Sequence, residues 1–266
     1  MLSRSRQAGL SLVELMVGLV VGLIVVAGAS AMYVTTVRGQ SYGLRAAKLN
    51  QDLRATMSVI AADVRRAGYW AGAVVVTPGT PPTYTYSTNP YSLRGGTQTD
   101  IAILNGGTCI MYAYDADADG SNPVEAGEVF GFRLSGNVIQ MLEPAAGGPT
   151  VTSNCAAGTW SGMTSNDTVV ISALSFSTTG SQCLNASTDP TLSWTVSEDP
   201  STAAPCAATS AQSTINGAGT HAAPGGSDVI TEVRQITITL TGSHQSDPTM
   251  AATITETVHL PNNRIN

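Results

Sequence analysis

The chain falls into two hydropathy regimes. From Leu10 it is strongly apolar, with Glu14 the only charge before Arg38, and residues 15–37 form a run of 23 without a charge. That length suffices to span a bilayer as a helix, and the basic leader before it (Arg4, Arg6) would stay on the cytoplasmic side. Beyond the run the apolar period remains helical. Leu49, Leu53, Met57, Ile60 and Val64 recur at steps of three and four, with Lys48, Asp52, Arg54, Asp63 and Arg65 on other faces. Gly68 is a plausible stop, with Arg65 and Arg66 in the last turn suiting the helix dipole. The pattern predicts one helix of about 55–58 residues, half lipid-facing and half amphipathic, roughly 85 Å long at 1.5 Å per residue. Its outer half needs a sheet to pack on.

From Ala71 the pattern changes to short alternating or apolar runs between clusters of Gly, Pro, Asn and Ser, which predicts a mainly antiparallel sheet with long loops. Strands are expected over residues 100–104, 108–114, 128–135, 138–142, 168–178, 192–196, 230–241 and 249–260. The last pair should turn at residues 242–248, and Gly136-Asn137 should turn a second hairpin. Residues 77–96 and 197–226 read as long loops. The predicted class is α+β: a long N-terminal helix packed on a mainly antiparallel β-sheet head.

Charge narrows the partners. Eight of the twelve basic residues precede Trp70, and from Ala71 onward four basic face fifteen acidic residues, a net charge of −11. Such a head would repel phosphates, and it has no basic patch with interleaved aromatics, so nucleic acid is not an expected partner. The four cysteines, Cys109, Cys155, Cys183 and Cys206, also lie in this part, at spacings that match no zinc motif. In an oxidising compartment they would form disulfides. Their order suggests Cys109 with Cys155 and Cys183 with Cys206, although three pairings are open.

Three readings compete for the N-terminus. An ordinary secretory signal could be cut at Ala29-Ser30-Ala31, and a plain signal anchor would explain the length of the apolar run. Both leave Glu14 unexplained, because a carboxylate inside an apolar span costs a few kcal/mol, on the order of the ~3 kcal/mol of insertion scales. The third rests on Gln7-Ala8-Gly9-Leu10-Ser11-Leu12-Val13-Glu14-Leu15, which resembles the prepilin signal of the type IV pilin family. In that family a prepilin peptidase cuts after the glycine and methylates the new N-terminus, leaving a glutamate as the fifth mature residue. Gly9, Leu10 and Glu14 stand at those places, although the family more often has Phe or Met where Leu10 is.

The resemblance implies a leader over residues 1–9, a helix over residues 10–68 with its transmembrane part at about 12–36, and a head over residues 69–266. It also implies that Glu14 pairs with the N-terminal amine of a neighbouring subunit during assembly. The order of signal, long helix, Arg65-Arg66-Ala67-Gly68-Tyr69-Trp70 and a head ending in a hairpin is similar to the PilW group of minor pilins. Its implied setting is the bacterial inner membrane, with the head in the periplasm and later at the pilus tip. The implied partners are other minor pilins, the major pilin, the prepilin peptidase, the inner-membrane assembly platform and a tip adhesin. A type II secretion pseudopilin shares the signal and the stalk and stays open as an alternative.

One segment of the head carries candidate chemistry. Asp115-Ala116-Asp117-Ala118-Asp119-Gly120 resembles the first half of a calcium loop, with Ala126 where a twelfth-position glutamate would stand and Glu125 and Glu128 flanking it. The candidate ligands are Asp115, Asp117, Asp119 and Glu125; a solvated acidic turn predicts the same composition. Calcium is the only cofactor suggested, and it makes a membrane-anchored calcium-dependent adhesion or binding module a further alternative. The histidines, His221, His244 and His259, are scattered, and no hydrolase, metalloprotease or phosphate-loop motif accompanies them. An enzyme is not expected.

Overall fold

The computed structural model describes residues 11–77, 83–86, 89–92, 101–120, 124–144, 155–185, 193–196 and 230–265. Helix α1 (Leu12–Val64) is followed by strands β1 (Val74–Thr77), β2 (Thr83–Tyr86), β3 (Ile101–Leu104), β4 (Cys109–Ala113), β5 (Val129–Ser135) and β6 (Val138–Leu142). The remainder are β7 (Trp160–Gly162), β8 (Val169–Ser177), β9 (Ser181–Asn185), β10 (Ser193–Val196), β11 (Ile230–His244) and β12 (Asp247–Ile265). The class is α+β. By contact density the chain divides into residues 1–48 and residues 49–266.

In the first unit, α1 contains the described stretch that is apolar and long enough to cross a membrane, with a mean hydropathy of 2.5 over its most apolar window and none of that window buried. In the second unit, Leu49, Leu53, Met57, Ile60, Ala61 and Val64 are all buried. The helical period read from the sequence therefore marks the packed face, and Ala61 joins it one position from Ile60.

The helix ends sooner than its glycine stop suggested. After Val64 the bonds tighten to the i+3 type at Arg66, Ala67 and Tyr69, so Arg65 and Arg66 lie just past the helix instead of in its last turn. Gly68, at φ +75°, then turns the chain so that its N–H donates to the Ala113 carbonyl at 2.9 Å. The exit from the helix is thus sewn to the end of β4.

Strands β3 to β7 form one antiparallel meander in sequence order. Strand β4 is buried along its whole length, which fits a central strand covered on both faces. Its odd-numbered residues Cys109, Met111 and Ala113 join a core with Trp70, Tyr91, Val124, Val129, Leu142 and Cys155. By alternation Tyr112 faces the other way, where its hydroxyl donates to Asp63 of α1. Gly136 and Asn137 both take positive φ (58° and 67°), as the two-residue turn between β5 and β6 requires.

The second sheet has the order β10-β9-β11-β12, with β8 pairing to β11 beyond β9, all antiparallel. In β11, Ile236, Ile238 and Leu240 are buried, while Thr237, Thr239 and Thr241 meet Thr257, Thr255 and Thr253 of β12 hydroxyl to hydroxyl at 2.9–3.3 Å. The β11–β12 turn is tighter than residues 242–248: only Gln245 and Ser246 lie outside the strands, after a register shift at His244. Pro248 is tolerated because β12 is the sheet's edge. Gly242 sits where a Cβ would come 3.0 Å from Leu53 Cδ2, so its lack of a side chain lets the helix lie on β11.

Further differences from the sequence reading are short strands that it did not anticipate. The supposed loop over residues 77–96 contains β2, paired to β1. Strands β7 and β9 were not anticipated, being three and five residues long and not strongly apolar. Residues 197–226 lie outside the described residues.

Candidate functional site

Gly9 and Leu10, the expected cleavage and methylation positions, lie outside the described residues. Ser11 precedes α1; its Oγ accepts from the Glu14 N–H at 3.2 Å and its carbonyl accepts from the Leu15 N–H at 3.2 Å. Ser11 is therefore the N-cap, and Ser11-Leu12-Val13-Glu14 has capping-box spacing, a signal that the sequence reading passed over. An acid in the first turn is also favoured by the helix dipole. The Glu14 side chain is exposed, among exposed Leu12, Val13, Leu15 and Met16. It is a carboxylate held at the head of an apolar helix.

The acidic loop between β4 and β5 is the second site. Strand pairing sets its frame: Ala113 lies opposite Val129, which brings Glu128 beside the residues that follow β4. The Tyr114 N–H donates to the Glu128 carbonyl at 3.2 Å, and the Asp115 N–H donates to the Tyr69 carbonyl at 3.0 Å. One carboxylate oxygen each from Asp115, Asp117 and Glu128 lie within 4.8 Å of one another. Asp115 and Glu128 are buried and Asp117 is exposed.

The cluster differs from the four residues expected. Glu128 takes the place of Glu125, and Asp119 is not part of it. The twelve-residue template could not find Glu128, because what positions it is the β4–β5 pairing and not its distance along the chain from Asp115. Glu125 instead starts the turn before β5, its N–H donating to Glu128 Oε2 at 2.8 Å and its side chain exposed. The charge of Asp119 above all, then some burial and the charges of Glu128, Asp117 and Asp115, push the Glu125 carboxyl up from its ordinary value.

Each buried carboxylate is partly satisfied by backbone. Asp115 Oδ2 accepts from the Ala71 N–H at 3.1 Å and the Gly120 N–H at 3.0 Å, whereas Asp115 Oδ1 is buried with no hydrogen-bond partner. Glu128 Oε1 accepts from the Ala116 N–H at 3.3 Å, and Oε2 accepts from the Tyr91 hydroxyl as well as from Glu125. Gly120, at φ +75°, abuts Gly72, where a Cβ on either residue would press against the other's backbone. The loop therefore grips the chain that leaves α1.

The disulfide joins Cys109, at the start of β4, to Cys155, in a turn before β7, with both sulfurs buried in the core of the meander. Arg133 of β5 donates to the Cys155 carbonyl and lies over the Trp160 ring at 4.4 Å. The side chain of Cys183 and all of Cys206 lie outside the described residues.

Comparison with known proteins places this architecture. The prokaryotic N-terminal methylation motif matches residues 4–30, the segment that holds Gly9, Leu10 and Glu14. Prepilin peptidase-dependent protein B of Escherichia coli (strain K12) is 21% identical over 169 residues, covering 62% of this chain and 75% of that protein. No solved structure matches. The family described as prepilin peptidase-dependent protein B matches residues 43–260, from the outer half of α1 into the last strand of the head, and the comparisons do not show the PilW group suggested by sequence. With a prepilin methylation motif leading into the apolar helix and that family spanning the head, the chain is a type IV pilin-like protein belonging to the prepilin peptidase-dependent protein B family.

Proposed function

We propose that this chain is a minor pilin that takes part in starting type IV pilus assembly, at or near the tip, together with other minor pilins and the major pilin. The observation that carries the reading is the methylation motif at residues 4–30, set against a helix that is exposed and apolar at its start and packed only from Leu49 onward. A subunit that must leave the bilayer and enter a filament needs both halves. Prepilin peptidase cuts after Gly9, removing Arg4 and Arg6 with the leader, and methylates Leu10. Glu14 then offers its carboxylate to the new N-terminal amine of a neighbouring subunit, because an acid in an apolar setting is retained where a cation can pair with it. The head stays on the periplasmic side until the filament carries it outward, and its role is to bind other subunits, not to catalyse.

Intact mass and N-terminal sequencing of the protein from native membranes, with and without the peptidase, test the first step. The expected result is a peptidase-dependent start at Leu10; a start at Met32 or an intact Met1 overturns it. Replacing Glu14 by Ala tests the second, since the Ser11 cap bonds the Glu14 backbone and survives the change. Processing should persist while incorporation into pili is lost, and unchanged piliation rejects the registration role. Loss of a secreted enzyme instead of loss of pili would assign the chain to a secretion pseudopilus.

A further inference from the structure

We propose that the β4–β5 loop is a calcium site, with Asp115, Asp117 and Glu128 as its carboxylate ligands, and that the ion fastens the chain leaving α1 to the head. Two observations carry this independently. The first is geometric. Oxygens bound to one calcium at 2.3–2.6 Å can lie no more than about 5 Å apart. The three carboxylates meet that condition, with one oxygen of each inside a 4.8 Å span.

The second is the state of Asp115. The residue is 2% exposed; Oδ2 is filled by two backbone donors, and Oδ1 is buried and bonded to nothing. A buried carboxylate oxygen without a donor is costly unless a cation meets it. Among the described residues no cationic side chain pairs with Asp115, Asp117 or Glu128; the ion pairs present are Arg65–Glu256 and Arg66–Asp63. Among the described residues, therefore, nothing supplies countercharge to these two buried acids and the third at their rim.

The donor chemistry selects the ion. All three ligands are hard oxygens, with no thiol or imidazole in the cluster, which disfavours zinc and copper. Calcium accepts the irregular geometry of a loop that has Ala118 at φ +59°, and it takes its remaining ligands from carbonyls or water, whereas magnesium demands a near-ideal octahedron. The consequence follows from the bonds already described. Asp115 holds the Ala71 N–H and the Tyr69 carbonyl, and Gly120 abuts Gly72, so an ion on Asp115 stabilises the strap over residues 69–72. The inference does not depend on the assembly role proposed above, and each can fail alone.

The test uses the full chain in detergent micelles. Thermal unfolding is followed in chelator, calcium or magnesium, and terbium luminescence is excited through tyrosine, since the Tyr91 hydroxyl bonds Glu128 beside the site. Calcium in the ~0.1–1 mM range of extracellular sites should be half-saturating, and a tenfold excess should raise Tm by roughly 3–6 °C. Asp117→Asn, an exposed change that leaves the fold in place, should weaken calcium and terbium binding by on the order of tenfold or more as the ligand charge falls. Asp167→Asn, a distant exposed acid, should change neither. No calcium shift in the wild-type chain, an equal shift with magnesium, or the same affinity in Asp117→Asn would each overturn the proposal.

Discussion

Asp63 shows how a single side chain ties the helix to the sheet. By period it belongs off the packed face of α1, yet its carboxylate accepts from the Tyr112 and Tyr114 hydroxyls of the β4 segment and pairs with Arg66, whose guanidinium lies 4.7 Å over the Tyr114 ring. Tyr112 is buried among the Tyr114, Phe130 and Phe132 rings, with centroids 6.1–6.3 Å away. Burial first, then the Asp63 charge, pushes the Tyr114 hydroxyl up to about 12, and the same causes push Tyr112 well up. In the unfolded chain both would ionise near pH ~10. The folded state therefore holds protons that the unfolded state releases: this contribution to stability is intact below pH ~10 and is lost as pH rises toward about 12. Denaturant midpoints should fall across that window, with tyrosinate absorbance rising in step; a flat midpoint would contradict the linkage. None of this was legible in the sequence, where Asp63 is one polar residue on a helix.

Elements were more legible, and the reasons differ. The buried stripe of α1 could be read because a 3.6-residue period survives whatever the helix packs on, and strands β3, β4, β5, β6, β8, β10, β11 and β12 could be read from short apolar or alternating runs between turn residues. Short strands β2, β7 and β9 could not, because three to five residues of mixed polarity become strand only when a neighbour offers its edge, and the sequence reading also passed over β1, although its Val-Val-Val-Thr is apolar and β-branched. Leu53 tests the element: it is fully buried and contacts the face of β11 at Gly242. Leu53→Ala should destabilise the chain by about 2–5 kcal/mol in denaturant unfolding, whereas Val59→Ala on the exposed side should stay within about 0.5 kcal/mol. Equal effects would mean that the packed face is misassigned.

For the whole molecule, the disulfide is the longest-range covalent constraint among the described residues, closing a 46-residue separation across the core of the meander. It matters most in a chain with only 5% aromatic residues and many small ones, which has less large apolar surface to bury. Replacing both cysteines by alanine should cost about 2–4 kcal/mol, chiefly by freeing the unfolded chain. Unchanged stability of the double variant would show that the core of the meander does not need the cross-link.

What the sequence determined by itself was whatever depends on near neighbours. A charge-free run makes an apolar helix, steps of three and four make a packed stripe, Gly-Asn makes a tight turn, and Gly9, Leu10 and Glu14 make a motif because their spacing along the chain is the signal. What only the tertiary structure decided depends on residues far apart in sequence. Glu128 replaced Glu125 beside Asp115 because Ala113 pairs with Val129, Asp63 became a hub because β4 runs beneath α1, and the chain leaving α1 is fastened to β4 where the Gly68 N–H meets the Ala113 carbonyl. The difference is physical: periodicity is set by backbone geometry at each residue, whereas ligand sets and buried hydrogen bonds arise only once strand register has chosen which side chains meet.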